Sequence, residues 1–249
     1  MSPDPQIAWR QSTLQITRVH PPCPTPYDQR VVHHLPVHDP VRARAVVAEL
    51  STVATVAEEL DPVLRRDIDY PRDMGDLDYV AVGCWGNIVQ INDPAFGEDG
   101  ILSTNLEDAF DAQVEAHPEA RITAVCEMYS AETYGKYLAH VPGQPRLCAE
   151  GWEDQDVTGD PAQLLRAVGV GPGGPGAEYL DADITDSTDS TDSTDGTGQD
   201  EPFIGIEYLD LLAYGLHSVY TSENAMVSLF KVTRTKDVQF EIDEVWRQD

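Results

Sequence analysis

A tract that cannot build a hydrophobic core interrupts this 249-residue chain. Residues 183–201 read DITDSTDSTDSTDGTGQDE, with an aspartate at every third position of most of the run. A segment with so few apolar side chains buries too little surface to fold by itself, and a glycine- and proline-rich run precedes it. The sequence therefore predicts three regions, which are a main α+β body over 1–168, a low-complexity loop over 169–202, and a tail over 203–249 with a helix and a terminal hairpin that pack back on the main body.

Acidic residues greatly outnumber basic ones. The chain has 44 aspartate and glutamate residues and 16 lysine and arginine residues, so its net charge is -28. Only three of the basic residues are lysines. Such a chain repels itself in dilute salt, whereas at 1 M salt the Debye length falls to about 3 Å and the repulsion is nearly abolished. This composition resembles that of proteins from halophilic archaea that accumulate salt, and of their viruses. It favours a hypersaline setting over the alternative, an acidic protein from an organism of ordinary salinity.

The same charge distribution argues against two classes of partner. Binding to phosphates needs a surface of lysine and arginine, and no basic residue lies between Arg166 and Lys231. No stretch approaches the roughly 18 apolar residues of a membrane span, and the first residues lack the apolar core of a signal peptide. We therefore expect no nucleic-acid and no membrane partner, and a protein that is cytoplasmic on synthesis.

Hydrophobic patterns predict an α+β fold with a mixed or antiparallel sheet built from hairpins. A long helix is predicted near residues 40–60, because Asp39 can cap it and Pro40 suits its first turn. Two to three shorter helices are predicted from residue 104, over 130–140 and over 206–220. The alternation of strands and helices over 79–140 indicates that the helices of that stretch lie on one face of the sheet. Strands are predicted over 12–19, over 79–92 as a hairpin around Gly86-Asn87, over 121–129, and in a terminal hairpin that turns at residues 235–237.

One group of histidines has some character of a metal site. His33, His34 and His38 follow Cys23, and imidazole with thiolate is a ligand set that zinc accepts. If residues 30–35 form a strand, however, His33 and His34 point to opposite faces. We therefore favour ordinary histidines at a strand edge, and the four widely spaced cysteines indicate free thiols.

The aspartate tract is a second candidate for cation binding. Hard cations prefer several oxygen ligands, but the tract lacks the bidentate glutamate and the ligand stagger of a dedicated loop. We expect only weak, distributed association with Ca²⁺, Mg²⁺, Na⁺ or K⁺, and no other cofactor. The residues that would take part are Asp183, Asp186, Asp189, Asp192 and Asp195.

No sequence motif names a catalytic residue. The patterns of serine hydrolases, metalloproteases and phosphate-binding loops are absent. Triads also assemble from distant residues, so an enzyme stays open as an alternative. A hydrolase-like site would lie between the 79–92 hairpin and residues 122–140, and its candidate residues would be Glu127, Tyr129 and His140.

Taken together, these features favour a non-catalytic protein. We expect a structural or adaptor subunit of a large assembly in a hypersaline environment, such as a halophilic virus particle, with other protein subunits as partners in a homo- or hetero-oligomer. Apolar hairpins could extend sheets across subunits. The alternatives are a cytoplasmic halophilic enzyme and a cation-binding surface module that uses the aspartate tract.

Overall fold

The structure is a computed structural model. The residues that it describes are 11–24, 35–68, 71, 73–98, 103–129, 133–152, 154–173, 180, 204–214 and 224–246.

A single antiparallel sheet of ten strands organises these residues. In chain order the strands are β1 (Gln11–Val19), β2 (Thr55–Glu59), β3 (Val63–Leu64), β4 (Tyr79–Trp85), β5 (Ile88–Asn92), β6 (Arg121–Tyr129), β7 (Thr133–His140), β8 (Leu147–Gly151), β9 (Asp156–Thr158) and β10 (Met226–Thr233). Their spatial order is β2-β10-β4-β5-β1-β6-β7-β8-β9, and β3 pairs with the start of β10. Strand β10, from the tail, thus lies inside the sheet between β2 and β4.

Five α-helices of the described residues cover both faces of the sheet. They are α1 (Pro40–Ala48), α2 (Asn105–Ala116), α3 (Pro161–Ala167), α4 (Ile206–Tyr214) and α5 (Lys236–Trp246). Helices α1, α2 and α5 share an apolar core with one face, which we call the front face. Helices α3 and α4 pack on the opposite face, the back face. The fold is therefore α+β in three layers.

The two faces differ in how their apolar residues are arranged. The front face has one continuous core, in which Ile16 of β1 and Leu138 of β7 take part. The back face has two smaller apolar clusters. One surrounds Tyr137 and Leu212, and the other surrounds Trp85. Something other than apolar side chains must therefore occupy the back face between them.

The long helix predicted near residues 40–60 does not form. Helix α1 ends at Ala48, and residues 55–59 form the edge strand β2. The segment STVATV at 51–56 contains four β-branched residues, which favour strands. Pairing with β10 satisfies the backbone there, since the Ala54 N–H donates to the carbonyl of Thr233 at 2.8 Å.

Two other predicted elements have the wrong type. Residues 133–140 form strand β7 and not a helix, and the predicted terminal hairpin is strand β10 followed by helix α5. In α5 the alternation of Val238, Phe240 and Ile242 suggested a strand. Phe240 is 65% exposed, however, while Val238, Ile242, Val245 and Trp246 are buried. Their spacing of three and four residues is helical.

Several local predictions are confirmed. Strands occur at 11–19 and 121–129, and the 79–92 hairpin turns at Gly86, whose φ of 59° favours glycine. The Asp39 carboxylate accepts hydrogen bonds from the Val41 and Arg42 amides at 3.0 Å and caps α1. Within the described residues, no helix is long and apolar enough to cross a membrane.

Candidate functional site

A band of buried polar side chains separates the two apolar clusters of the back face. Gln15 and Thr17 of β1 lie beside Asn92 and Gln90 of β5, respectively, in the antiparallel register. Alternate residues of a strand share a face, so all four project from the back of the sheet. These four residues form what we call the polar band, together with three residues from outside β1 and β5, namely Arg65, Asp210 and Tyr214.

Helix α4 converts this polar surface into an interior. It packs on β1, β6 and β7, and its apolar residues join the back-face cluster around Tyr137. Gln15, Thr17 and Gln90 are therefore at most 9% exposed, although they sit at positions where an alternating strand usually faces water. The burial of these groups requires hydrogen-bond partners.

A short series of hydrogen bonds runs through the band. The Arg65 guanidinium donates to Gln15 Oε1 at 2.8 Å, and Gln15 Nε2 donates to Thr17 Oγ1 at 2.8 Å. On the neighbouring strand, Gln90 Nε2 donates to the Tyr214 hydroxyl at 3.3 Å. These bonds connect the sheet to the 3-10 turn that contains Arg65 and to the end of α4.

Three buried polar atoms of the band nevertheless have no hydrogen-bond partner among the residues that the structure describes. They are Arg65 Nε, Gln90 Oε1 and Asn92 Nδ2. A buried polar atom without a partner costs about 1–3 kcal/mol, so natural proteins rarely keep several together. Such local violations of packing rules are expected mainly at functional sites. The band is therefore the candidate functional site.

Asp210 gives the band an unusual electrostatic character. Burial raises the pKa of its carboxyl to about 8, while the Arg65 guanidinium opposes the rise and the Glu207 carboxylate adds to it. Burial likewise raises the pKa of the Tyr214 hydroxyl. Near pH 7 both groups are mostly neutral, so Arg65 is the principal charge within the band. The site therefore favours a ligand with an anionic group.

The residues predicted for a hydrolase do not come together. Glu127 lies on the back face, where it accepts a hydrogen bond from the Tyr137 hydroxyl at 2.8 Å. His140 pairs with Ile122 on the front face, and its Nε2 lies 3.2 Å from the Pro118 carbonyl oxygen. The backbone of Tyr129 ends β6, and its side chain lies outside the described residues. The sheet thus separates Glu127 from His140, so these two side chains do not share one site.

The predicted metal-binding groups fall mostly outside the described residues. This applies to His33, His34 and the five aspartates of the tract. His38 is described, and both of its ring nitrogens have partners: Nδ1 accepts from the Cys84 amide at 3.2 Å and Nε2 lies 2.9 Å from Ser228 Oγ. These bonds give His38 a structural role beside β4 and β10.

Three of the four free cysteines lack the character of nucleophiles. Burial raises the pKa of Cys84 and of Cys148 to about 11, and it raises that of Cys126 further. A protonated thiol is a poor nucleophile and a poor metal ligand. Cys23 is half-buried and donates to the Val19 carbonyl at 3.5 Å.

A charged network on the front face has a structural explanation. The Lys136 ammonium lies 3.0 Å from Glu98 and from Glu107, and 3.3 Å from Glu150. Glu98 also accepts a hydrogen bond from the Leu106 amide at 3.2 Å, which satisfies the first turn of α2. The network therefore attaches the start of α2 to strands β7 and β8.

Sequence patterns alone missed the polar band. Polar residues at alternate strand positions are the usual mark of a solvent-facing surface, so Gln15 and Gln90 carried no signal. The one available signal was Asp210, an acidic residue within the apolar run YLDLLAY of residues 208–214. A carboxyl in the middle of such a run is often buried and functional.

Comparison with known proteins identifies a family for this chain but does not assign an activity to it. A family model described as "Family of unknown function (DUF6333)" matches residues 1–249, so the chain belongs to that family. No curated protein and no solved structure matches it.

Proposed function

We propose that this DUF6333 protein is a non-catalytic adaptor that binds a small anionic ligand in the polar band. The observation that carries the proposal is a group of buried atoms on the back face that have no partner within the described part of the chain, namely Arg65 Nε, Gln90 Oε1 and Asn92 Nδ2. A ligand that hydrogen-bonds to them would recover the free energy that their desolvation costs.

The chemistry of these atoms restricts the ligand class. Arg65 Nε and Asn92 Nδ2 are donors and require acceptor atoms, whereas Gln90 Oε1 is an acceptor and requires a donor. A carboxylate supplies the acceptors and suits a guanidinium, and a hydroxyl or amine supplies the donor. The proposed ligand is therefore a small hydroxy acid or amino acid.

Access to the band requires movement of helix α4. The three atoms are fully buried, and the Gln90–Tyr214 hydrogen bond of 3.3 Å attaches the end of α4 to the sheet beside them. Binding would thus couple ligand occupancy to the position of α4 on the back face. Such coupling is a feature of adaptors, in which a ligand biases one of two arrangements of an element.

The experiment is a thermal-shift screen of small hydroxy acids and amino acids against the full chain in molar KCl. Arg65→Met removes the guanidinium and keeps an apolar stem, and Arg66→Met is the matched control. Arg66 is exposed and contacts Asn224 and Asp67 outside the band. We expect a compound that raises the melting temperature of the wild type and of Arg66→Met but not of Arg65→Met. Failure of every compound to stabilise the wild type, or equal stabilisation of both variants, contradicts the proposal.

The acidic composition supports a hypersaline setting for this adaptor, with other protein subunits as partners. A halophilic virus particle is one form that such an assembly could take. This part of the proposal rests on a net charge of -28 and three lysines, and its test is the oligomeric state in high and low salt.

A further inference from the structure

Two imidazoles and a carboxylate converge at one point of the surface, next to the end of β1. His20 follows β1, His117 follows α2, and Glu119 lies in the turn before β6. One ligand atom from each lies within 4.8 Å of the other two. The His20 and His117 rings contact edge to face, with centroids 5.1 Å apart.

We propose that His20, His117 and Glu119 form a site for a divalent transition-metal ion such as Zn²⁺. Imidazole nitrogen with a carboxylate oxygen is a donor set that zinc accepts, whereas Ca²⁺ and Mg²⁺ prefer oxygen ligands alone. Glu119 is exposed and the histidines are half-buried, so the fourth position faces solvent. A water or a group from a partner would complete the tetrahedron.

The separation of two ligands already suits zinc. His20 Nδ1 lies 3.4 Å from Glu119 Oε1. Zinc bonds of about 2.0–2.2 Å at a tetrahedral angle place neighbouring ligand atoms roughly 3.3–3.6 Å apart. A His20–Glu119 ion pair alone would account for that distance, but it does not explain why a second imidazole converges on the same point.

The backbone around these residues is held by hydrogen bonds, which favours a preformed site. The His20 amide donates to the Asn87 carbonyl at 2.9 Å, and Asn87 Nδ2 donates to the His20 carbonyl at 2.7 Å. On the other side, the His117 amide donates to the Gln113 carbonyl and the Ala120 amide donates to the His117 carbonyl, both at 3.0 Å.

Neighbouring charges act in both directions. Arg18 and Arg42 lie close enough to His20 to repel a cation, while Glu119 and Glu49 attract it. The Arg18 guanidinium is engaged by Gln113, with which it forms a hydrogen bond. The Glu119 carboxylate is therefore essential, because it offsets the repulsion of the cation by the two arginines.

The test is calorimetric titration of the metal-free full chain with ZnCl₂ in molar KCl. Glu119→Gln removes a proposed ligand, and Glu115→Gln removes the same charge from an exposed position of α2 outside the cluster. We expect one tight equivalent of Zn²⁺ in the wild type and in Glu115→Gln, and affinity at least about tenfold lower in Glu119→Gln, since even outer-shell changes cost about 10–100-fold.

His117→Ala is a second, independent variant. Co²⁺ is a spectroscopic probe of the same site. A tetrahedral Co²⁺ absorption in the wild type that is lost in His117→Ala, with circular dichroism unchanged, would support the three-ligand site. Zinc uptake of equal affinity in the wild type and all three variants would assign the metal to another acidic surface and overturn the proposal. No tight uptake by the wild type would overturn it as well.

Discussion

At the scale of single residues, the described carboxyl that departs most from an ordinary one is that of Asp210. It lies in α4 against the back face, and burial raises its pKa from 3.8 to about 8. The folded state therefore holds a proton that the unfolded state has lost over most of the interval between these values. The consequence is a dependence of stability on pH that can be isolated from that of the other carboxyls.

We predict that Asp210 makes the protein less stable as pH rises from about 4 to about 8. In this interval the folded state binds more protons than the unfolded state, so the free energy of unfolding falls with pH, by at most about 1.4 kcal/mol per unit. Urea denaturation at several pH values in one KCl concentration measures it. The difference in the free energy of unfolding between the wild type and Asp210→Asn should fall with pH at this slope and become constant above pH 8.

Glu115→Gln is the control for that measurement, because Glu115 is an exposed acidic residue of α2, which packs on the opposite face of the sheet. The free energy of unfolding of this control variant should differ from that of the wild type by an amount that depends on pH much less across the same interval. A difference for Asp210→Asn that is flat, or that rises with pH, would show that its carboxyl is not protonated in the folded state.

At the scale of elements, a buried ion pair joins segments that the sheet alone does not hold together. Arg234, after β10, donates two hydrogen bonds to Asp93, after β5, at 2.8 and 3.0 Å, and neither side chain is exposed. Asp93 also accepts from Thr52 Oγ1 at 2.6 Å, and Arg234 donates to the Leu77 carbonyl at 2.8 Å. Four connections of the chain therefore meet at one pair.

We predict that Asp93→Ala destabilises the protein by roughly 3–5 kcal/mol, because it leaves the guanidinium of Arg234 buried without its counter-charge. Arg44→Ala is the matched control. Arg44 pairs with Glu59 between α1 and β2, and its side chain is 65% exposed. Its loss should cost about 0–1 kcal/mol. Urea denaturation of the wild type and the two variants measures these losses of stability. Similar destabilisation by both variants would contradict a structural role for the buried pair.

At the scale of the whole molecule, the edges of the sheet restrict how copies can associate. The hairpin strands β4 and β5 are paired on both sides, so they cannot extend a sheet into a neighbour. The path ends at β2, which carries Glu58 and Glu59, and at β9, which is three residues long and begins at Asp156. Short, acidic edges discourage strand pairing between chains. These two edges of the described sheet therefore disfavour assembly by sheet extension.

We predict that the oligomeric state depends on salt. Like charges on subunits of net charge -28 repel each other in dilute buffer, while molar KCl reduces the Debye length to about 3 Å. Light scattering coupled to size exclusion should show a species larger than a monomer in molar KCl that dissociates or unfolds at low salt. Sucrose at equal osmolality, which screens no charge, should not replace KCl. A compact monomer at every salt concentration would count against a subunit of a large assembly.

Local signals were sufficient for part of the fold. The cap at Asp39, the Gly86-Asn87 turn and the strands at 11–19 and 121–129 depend on residues close together in sequence, and each was predictable. The prediction of a long helix at 40–60 was wrong because pairing with β10, some 170 residues away, outweighed the helical spacing. Helix α5 failed for a different reason, because a short apolar run can match both periods.

What the sequence by itself determined is therefore the α+β class, the acidic surface and those elements whose signals are local. The tertiary structure alone decided which polar residues are inside, since Gln15 and Gln90 become buried only when α4 covers them. It also decided that Glu127 and His140 lie on opposite faces and that His20, His117 and Glu119 converge. The physical reason is that burial and convergence arise from pairing between distant segments, and no local pattern of residue types encodes a partner that is distant in the chain.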